Sequence, residues 1–246
     1  MNSLTKEEKR KGRVRNRLGN IYVDETGFGK WFLRTHTWKL HVLERALKDL
    51  EQLIPDKKAN YDTVVDVGCG YGHSLPKLKA RFSPQRLIGL DISEEMIEAT
   101  EKVSIKNSLN AELILCSSEK IPLEDNSVDL LFCHQTFHHI IEQEKAIDEF
   151  YRILKPGGIF LFAESTKRYI NSYLIRYLFR HPMKVQKTAQ EYIELIRSSG
   201  FRVSDESISL PFLWWSREDL GIRETLLGIA PPQKREETLV NLVATK

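Results

Sequence analysis

The chain has 246 residues, 41% of them hydrophobic, and a formal net charge of +3, which is material for one sizeable core with no compositional break that demands two domains. No run of 18 apolar residues occurs and the N-terminus is polar and charged, so the sequence predicts neither a membrane span nor a secretory signal, and a cytoplasmic location. Its three cysteines, Cys69, Cys116 and Cys133, share no metal-ligand spacing, which excludes a cysteine-held iron–sulfur cluster and leaves no metal expected.

Residues 1–34 read as a basic arm and cap segment, followed by one domain over 35–246. Residues 6–17 hold seven basic side chains (Lys6, Lys9, Arg10, Lys11, Arg13, Arg15, Arg17) against Glu7 and Glu8, a local balance of +5 that leaves −2 for the rest. Such an arm can meet nucleic acid or an anionic membrane; a solvated tail is the plainer reading. Thr35 to Leu53 predicts a helix stopped by Pro55, although its apolar residues reach helical spacing only from Val42 onward.

Strands and helices then alternate: strand 63–67, helix 74–82, strand 86–91, helix 93–104, strands 112–116 and 128–133, helix 142–154, strand 158–164. That order implies a parallel sheet with crossover helices on both faces. Pro76 falls in a first helical turn, where a missing N–H costs little, and Ser93 before Glu94 and Glu95 reads as an N-cap. Gln190 to Ser199 predicts a helix ended by Gly200, and Phe201–Ile208 with Leu239–Thr245 a closing strand pair. Two insertions interrupt this plan. One, 167–188, is aromatic and basic from Arg168 to Arg180; the other, 210–237, carries Trp214-Trp215 and Pro231-Pro232.

The chemistry lies in Val64-Val65-Asp66-Val67-Gly68-Cys69-Gly70-Tyr71-Gly72, followed by an isolated acid at Asp91. Glycines after a buried strand let the backbone turn tightly and approach a ligand. Asp91 ends the neighbouring apolar run, at the edge where open α/β sheets bind ligands, and its carboxylate can accept both hydroxyls of a ribose. A dinucleotide turn would place a third glycine where His73 stands; the pattern is GxGxG.

With this spacing the stretch resembles motif I of class I S-adenosylmethionine (SAM)-dependent methyltransferases. Further along, the acidic turn Ile121 to Asp129 with its flanking strands, the histidine pair in His138-His139-Ile140 and the turn Leu154-Lys155-Pro156-Gly157-Gly158 resemble, in order, later elements of that family. The ubiquinone/menaquinone C-methyltransferase-like subgroup is the nearest in pattern. The resemblance implies a Rossmann-like, seven-stranded, mostly parallel sheet with helices on both faces and an antiparallel C-terminal strand, and SAM as cofactor. It places Asp66, Gly68, Cys69, Gly70 and Gly72 against the methionine part, with His134 beneath it. Asp91 falls on the ribose, Ile92 on an adenine face, and Ser117, Ser118 and Glu119 at the adenine amine, where a serine stands in for the family's usual acid.

His138 is the candidate general base, a neutral imidazole being the natural proton acceptor near pH 7. The residues after the fourth strand, His134-Gln135-Thr136-Phe137, lack the pattern of nucleic-acid amino-methylating enzymes, which leaves a small apolar or aromatic acceptor methylated on carbon or oxygen. The two insertions, with Trp31, Phe32 and the 169–179 segment, are the expected substrate cover, and that segment is compatible with lying on a membrane surface. Two other readings compete: a non-catalytic protein that binds SAM or its demethylated product, and an RNA methyltransferase using the basic arm.

Overall fold

The computed structural model describes residues 4–5, 11–217, 220, 222–230 and 237–246; Lys6, Lys9, Arg10 and Pro231-Pro232 lie outside them. The described part of the arm is a folded hairpin of β1 (Arg13–Arg15) and β2 (Ile21–Val23), followed by helix α1 (Gly27–Leu33). Arg15 donates to Gly19 O and Arg17 pairs with Glu94, so this part is not the solvated tail that its charge suggested.

The predicted helix 35–53 has two geometries. Trp38–Glu44 is π-helical and runs into α2 (Arg45–Gln52); the regular helix begins close to where the apolar spacing becomes regular. π-turns tend to occur where a functional site needs a side chain re-aimed, and here the widened stretch carries Trp38.

The main sheet has strands β3 (Thr63–Val67), β4 (Arg86–Asp91), β5 (Ala111–Leu115), β6 (Val128–His134) and β7 (Leu154–Ser165) in parallel, with β9 (Leu239–Thr245) antiparallel to β7, and β8 (Ile208–Ser209) antiparallel to β9. Its order is β5-β4-β3-β6-β7-β9-β8. The chain leaves β3 towards one side through β4 and returns to the other through β6, so the crevice at their carboxyl ends is the point where strand order reverses.

Helices α3 (Leu75–Phe82), α4 (Glu94–Lys106), α5 (Gln143–Ile153) and α8 (Ala189–Ser198) supply the crossovers and faces, α6 (Lys167–Ile170) and α7 (Tyr173–Leu178) lie in the first insertion, and α9 (Ile222–Leu227) in the second. Alternation along the strands sorts the core into two layers. Val65, Val67, Ile88, Phe160 and Phe162 pack with Phe150 of α5 and Tyr192 and Ile196 of α8. Val64, Leu87, Leu130 and Leu161 pack with Leu47 and Leu50 of α2 and Leu75 and Leu78 of α3. Each such side chain contributes about 1.5–3 kcal/mol.

The closing strand pair is shorter than expected. Of 201–208, Arg202 makes only an isolated bridge to Thr245, and Asp205–Ser207 is a 3₁₀ turn before the two-residue β8. Ser204, Asp205 and Ser207 favour turns over strands because their side chains can satisfy nearby backbone.

Candidate active site

The turn after β3 is pinned from below. Gly68 N and Cys69 N both donate to Leu90 O, at 2.8 and 2.9 Å, and Gly70 N donates to the Asp91 carboxylate at 2.9 Å. Gly68 has φ +69°, and a Cβ there would lie 2.1 Å from Thr136 Cγ2. At Gly70, φ +54°, a Cβ would meet no atom nearer than 3.9 Å and would project into the cavity above.

That cavity measures about 250 Å3 and opens at the carboxyl ends of β3, β4 and β6. Of the residues assigned to the cofactor, Asp66, Gly68, Cys69, Gly70, Asp91, Ile92, Ser117, Ser118, Glu119 and His134 line it. Gly72 does not. It packs on helix α4, where a Cβ would lie 2.9 Å from Thr100 Cγ2, so its smallness serves helix–turn packing.

Asp66 accepts a hydrogen bond from Ser74 Oγ, and Asp91 accepts from the backbone N–H of Gly70 and Ser93. Burial pushes Asp66 up to about 7, against the pull of the Ser74 bond and with the help of Asp91. Burial likewise raises Asp91 to about 6, against three backbone hydrogen bonds. Neither acid pairs with a cationic side chain among the described residues. Two buried carboxylates without a counter-charge fit a ligand that brings positive charge and hydroxyl donors. A second polar group faces the same space: His134 Nε2 is buried without a hydrogen-bond partner. Ser117 Oγ accepts from Glu119 N at 3.3 Å, closing the turn beyond β5.

His138 is not where the sequence placed it. It does not line the cavity, but points its Nδ1 at Glu164 Oε2, 2.5 Å away, with both side chains buried. Burial holds His138 down to about 3 and raises Glu164 to about 8. Phe137–His139 is a 3₁₀ turn, so consecutive side chains diverge, and it is His139 that lines the cavity. Nor is the pair isolated. His181, 42 residues on and inside the first insertion, brings its ring to 5.1 Å from His138 and 4.9 Å from His139, a grouping that the absence of cysteine motifs gave no reason to expect.

The cover also differs from expectation. None of the described residues of either insertion lines the cavity; Ile21, Tyr22, Val23, Asp24, Glu25, Lys30, Leu33 and Trp38 do. Trp31 and Trp214 are exposed, and Tyr169 packs edge-on against Trp215. The N-terminal segment is therefore the roof. Asn16 Nδ2 donates to Ile92 O at 2.8 Å, and Lys30 pairs with Asp24 and Glu95. Ser93 holds the N-cap position of α4, but its hydroxyl makes no capping bond. The first insertion supports the roof from outside: Thr26 donates to Leu178 O, Arg180 N donates to Glu25, and Phe179 packs edge-on against Phe28 and Phe32.

Sequence reasoning missed Trp38, Lys30, Gln135 and His139. Gln135 lines the cavity with φ +52°, a left-handed conformation uncommon outside glycine, and its side chain accepts from Ser165 Oγ. Nothing local in the sequence announces that strain. No helix among the described residues is long and apolar enough to cross a membrane.

Residues 65–162 match the family described as a methyltransferase domain. Over 123 residues the chain is 34% identical to a malonyl-(acyl-carrier protein) O-methyltransferase of Marinomonas sp., a match covering 50% of this chain and 43% of that protein. The chain thus spans less than half the length of the curated relatives it matches. In three dimensions it resembles a SAM-dependent methyltransferase from Aquifex aeolicus, with TM-score 0.61 and 22% identity over 88% of this chain and 96% of the other. It also resembles a chain from a complex of the Haloferax volcanii Trm112 methyltransferase activator, with TM-score 0.62 and 20% identity over 89% of this chain and 94% of the other. At these identities the structural likeness establishes the Rossmann-like fold. The matched stretch, about two fifths of the chain, is similar to a methyltransferase domain.

Proposed function

We propose that this chain is a SAM-dependent methyltransferase that moves a methyl group to carbon or oxygen of a small acceptor held beneath the N-terminal roof. The observation that carries the reading is the pair of uncompensated carboxylates, Asp66 and Asp91, under a glycine turn that faces a cavity of about 250 Å3. SAM supplies a methyl group already activated on a sulfonium, so the protein's work is placement and exclusion of water.

In this reading Asp91 takes the ribose hydroxyls, Ile92 and the 117–119 turn bound the adenine, and Asp66, Gly68, Cys69, Gly70 and His134 bound the methionine part. Trp38, Leu33 and His139 then face the acceptor end. His138 is a positioning residue, its imidazole committed to Glu164 and off the cavity. Burial keeps His139 neutral, down to about 3, which makes it a weak base and favours an acceptor that is already acidic. The carboxylate implied by relatives named malonyl-(acyl-carrier protein) O-methyltransferases, and the quinols implied by the sequence resemblance, are the acceptors to screen first.

Calorimetric titration with SAM and its demethylated product tests the reading. Binding is expected for the wild type and at least about tenfold weaker for Asp91→Ala, a difference of about 1.4 kcal/mol. A wild-type chain that binds neither compound overturns it.

A further inference from the structure

We propose that His138, His139 and His181 form a binding site for a borderline divalent cation, with Zn2+ as the reference ion, at the edge of the cavity. One donor atom from each of the three imidazoles lies within 4.8 Å of the other two, and the ring centroids are 4.3, 5.1 and 4.9 Å apart. Nitrogens around a tetrahedral zinc, each about 2.0–2.1 Å from the metal, stand about 3.4 Å from one another. Small ring rotations close that difference. Imidazole donors suit zinc, copper, nickel or iron rather than magnesium or calcium.

Three further observations mark a built site. Glu164 engages Nδ1 of His138, which leaves Nε2 as the atom free to ligate, and a carboxylate behind a ligating imidazole is the arrangement that fixes ring orientation. Glu164 is itself held, its other oxygen accepting from Thr136 N at 2.7 Å and Phe137 N at 2.6 Å. The third ligand is delivered by a tied turn: Gln186 Nε2 donates to His138 O at 2.8 Å and to Pro182 O at 3.0 Å, which fastens the segment after His181 to the histidine pair. Finally, His181 Nδ1 is buried with no hydrogen-bond partner. A cation would satisfy it.

Three protein nitrogens are the number found in zinc sites that keep a fourth position open. His139 lines the cavity, so a cation on it borders the acceptor end. Resting on the methyltransferase reading above, its open position is a seat for an anionic oxygen of the acceptor, whose nucleophilic form it would favour at neutral pH.

The test uses the full chain, freed of metal with a chelator and then titrated with Zn2+ against a competing chromophoric chelator, and separately with Co2+ followed by visible absorption. One tight Zn2+ per chain is expected, with a tetrahedral Co2+ spectrum and a Zn2+-dependent rise in melting temperature. His181→Gln should abolish all three signals while the metal-free variant still melts cooperatively. Glu164→Gln should weaken Zn2+ binding about 10–100-fold, and His36→Gln, at an exposed histidine, should change nothing. A wild type without stoichiometric Zn2+ binding, or binding that survives His181→Gln, overturns the site. SAM titration of the same samples separates the two ideas. SAM binding without Zn2+ binding sinks the metal site alone, and Zn2+ binding through the three histidines without SAM binding sinks only the methyltransferase reading.

Discussion

Asp66 and Asp91 are ionisable groups that the fold keeps from water, and this makes the ligand-free protein sensitive to pH in a definite direction. Both native values, about 7 and about 6, lie above the ordinary 3.8 of an aspartate. The native state therefore holds protons that the unfolded chain has released, and the stability they contribute is present below pH 4 and lost as pH rises through 6 to 7. For Asp91 alone the loss is of order 3 kcal/mol. A cationic ligand reverses the preference by favouring the carboxylates, so SAM affinity should strengthen from pH 5 to 8, with proton release on binding. Calorimetry in buffers of different ionisation heat reads that release, and an affinity independent of pH would contradict the assignment. Both acids were legible because each ends or precedes the end of an apolar run beside the glycine turn. Which of the paired histidines faces the cavity was not. One residue of rotation in the 3₁₀ turn Phe137–His139 decides between His138 and His139, and the sequence carries no mark of that turn's phase.

Among the elements, the glycine turn and helix α8 predict opposite outcomes from substitutions of similar size. Gly68→Ala places a Cβ on a left-handed residue and against Thr136, so it should cost about 1–2 kcal/mol from the backbone alone and more from the contact. It should also weaken SAM binding, because Thr136, which touches Gly68, and Gln135 both line the cavity. Thr188→Ala removes a capping box in which Thr188 Oγ1 accepts from Glu191 N and the Glu191 carboxylate accepts from Thr188 N. Its expected cost is about 1 kcal/mol in chemical denaturation with SAM affinity unchanged, since α8 packs on the sheet face away from α3 and lines no part of the cavity. Equal losses of SAM affinity in the two variants would contradict this division. That box was readable, since Thr188 and Glu191 have the required spacing, and it starts the helix one residue before Gln190. The π-turn before α2 was half readable: Trp38 and Leu40 break the helical spacing, but a break does not say which side chain it turns towards the cavity.

At the scale of the whole molecule, the sheet and its switch point were legible because each strand carries its own apolar run. The roof was not, because its contacts join residues far apart in sequence. Asn16 shows why. Its Oδ1 accepts from Leu18 N and Asn20 N, shaping the turn between β1 and β2, while its Nδ2 reaches Ile92 O across 76 residues of chain. The ion pairs that also join roof to body, Arg17 with Glu94 and Lys30 with Glu95, have partners that are 42% and 54% exposed, and such surface pairs contribute about 0–1 kcal/mol each. Asn16 is buried, and its loss leaves Ile92 O and two N–H groups unpaired, a cost of about 1–3 kcal/mol. If the roof closes the cofactor site, Asn16→Ala should weaken SAM binding by about tenfold, chiefly through faster dissociation, and lower the melting temperature of the ligand-free chain by about 2–4 °C for each kcal/mol lost. Hydrogen exchange should rise in residues 13–33 and not in β3 or β6. High salt, which screens the two ion pairs, should reproduce only a small part of that loss; a salt effect as large as the substitution would move the latch from Asn16 to the charges.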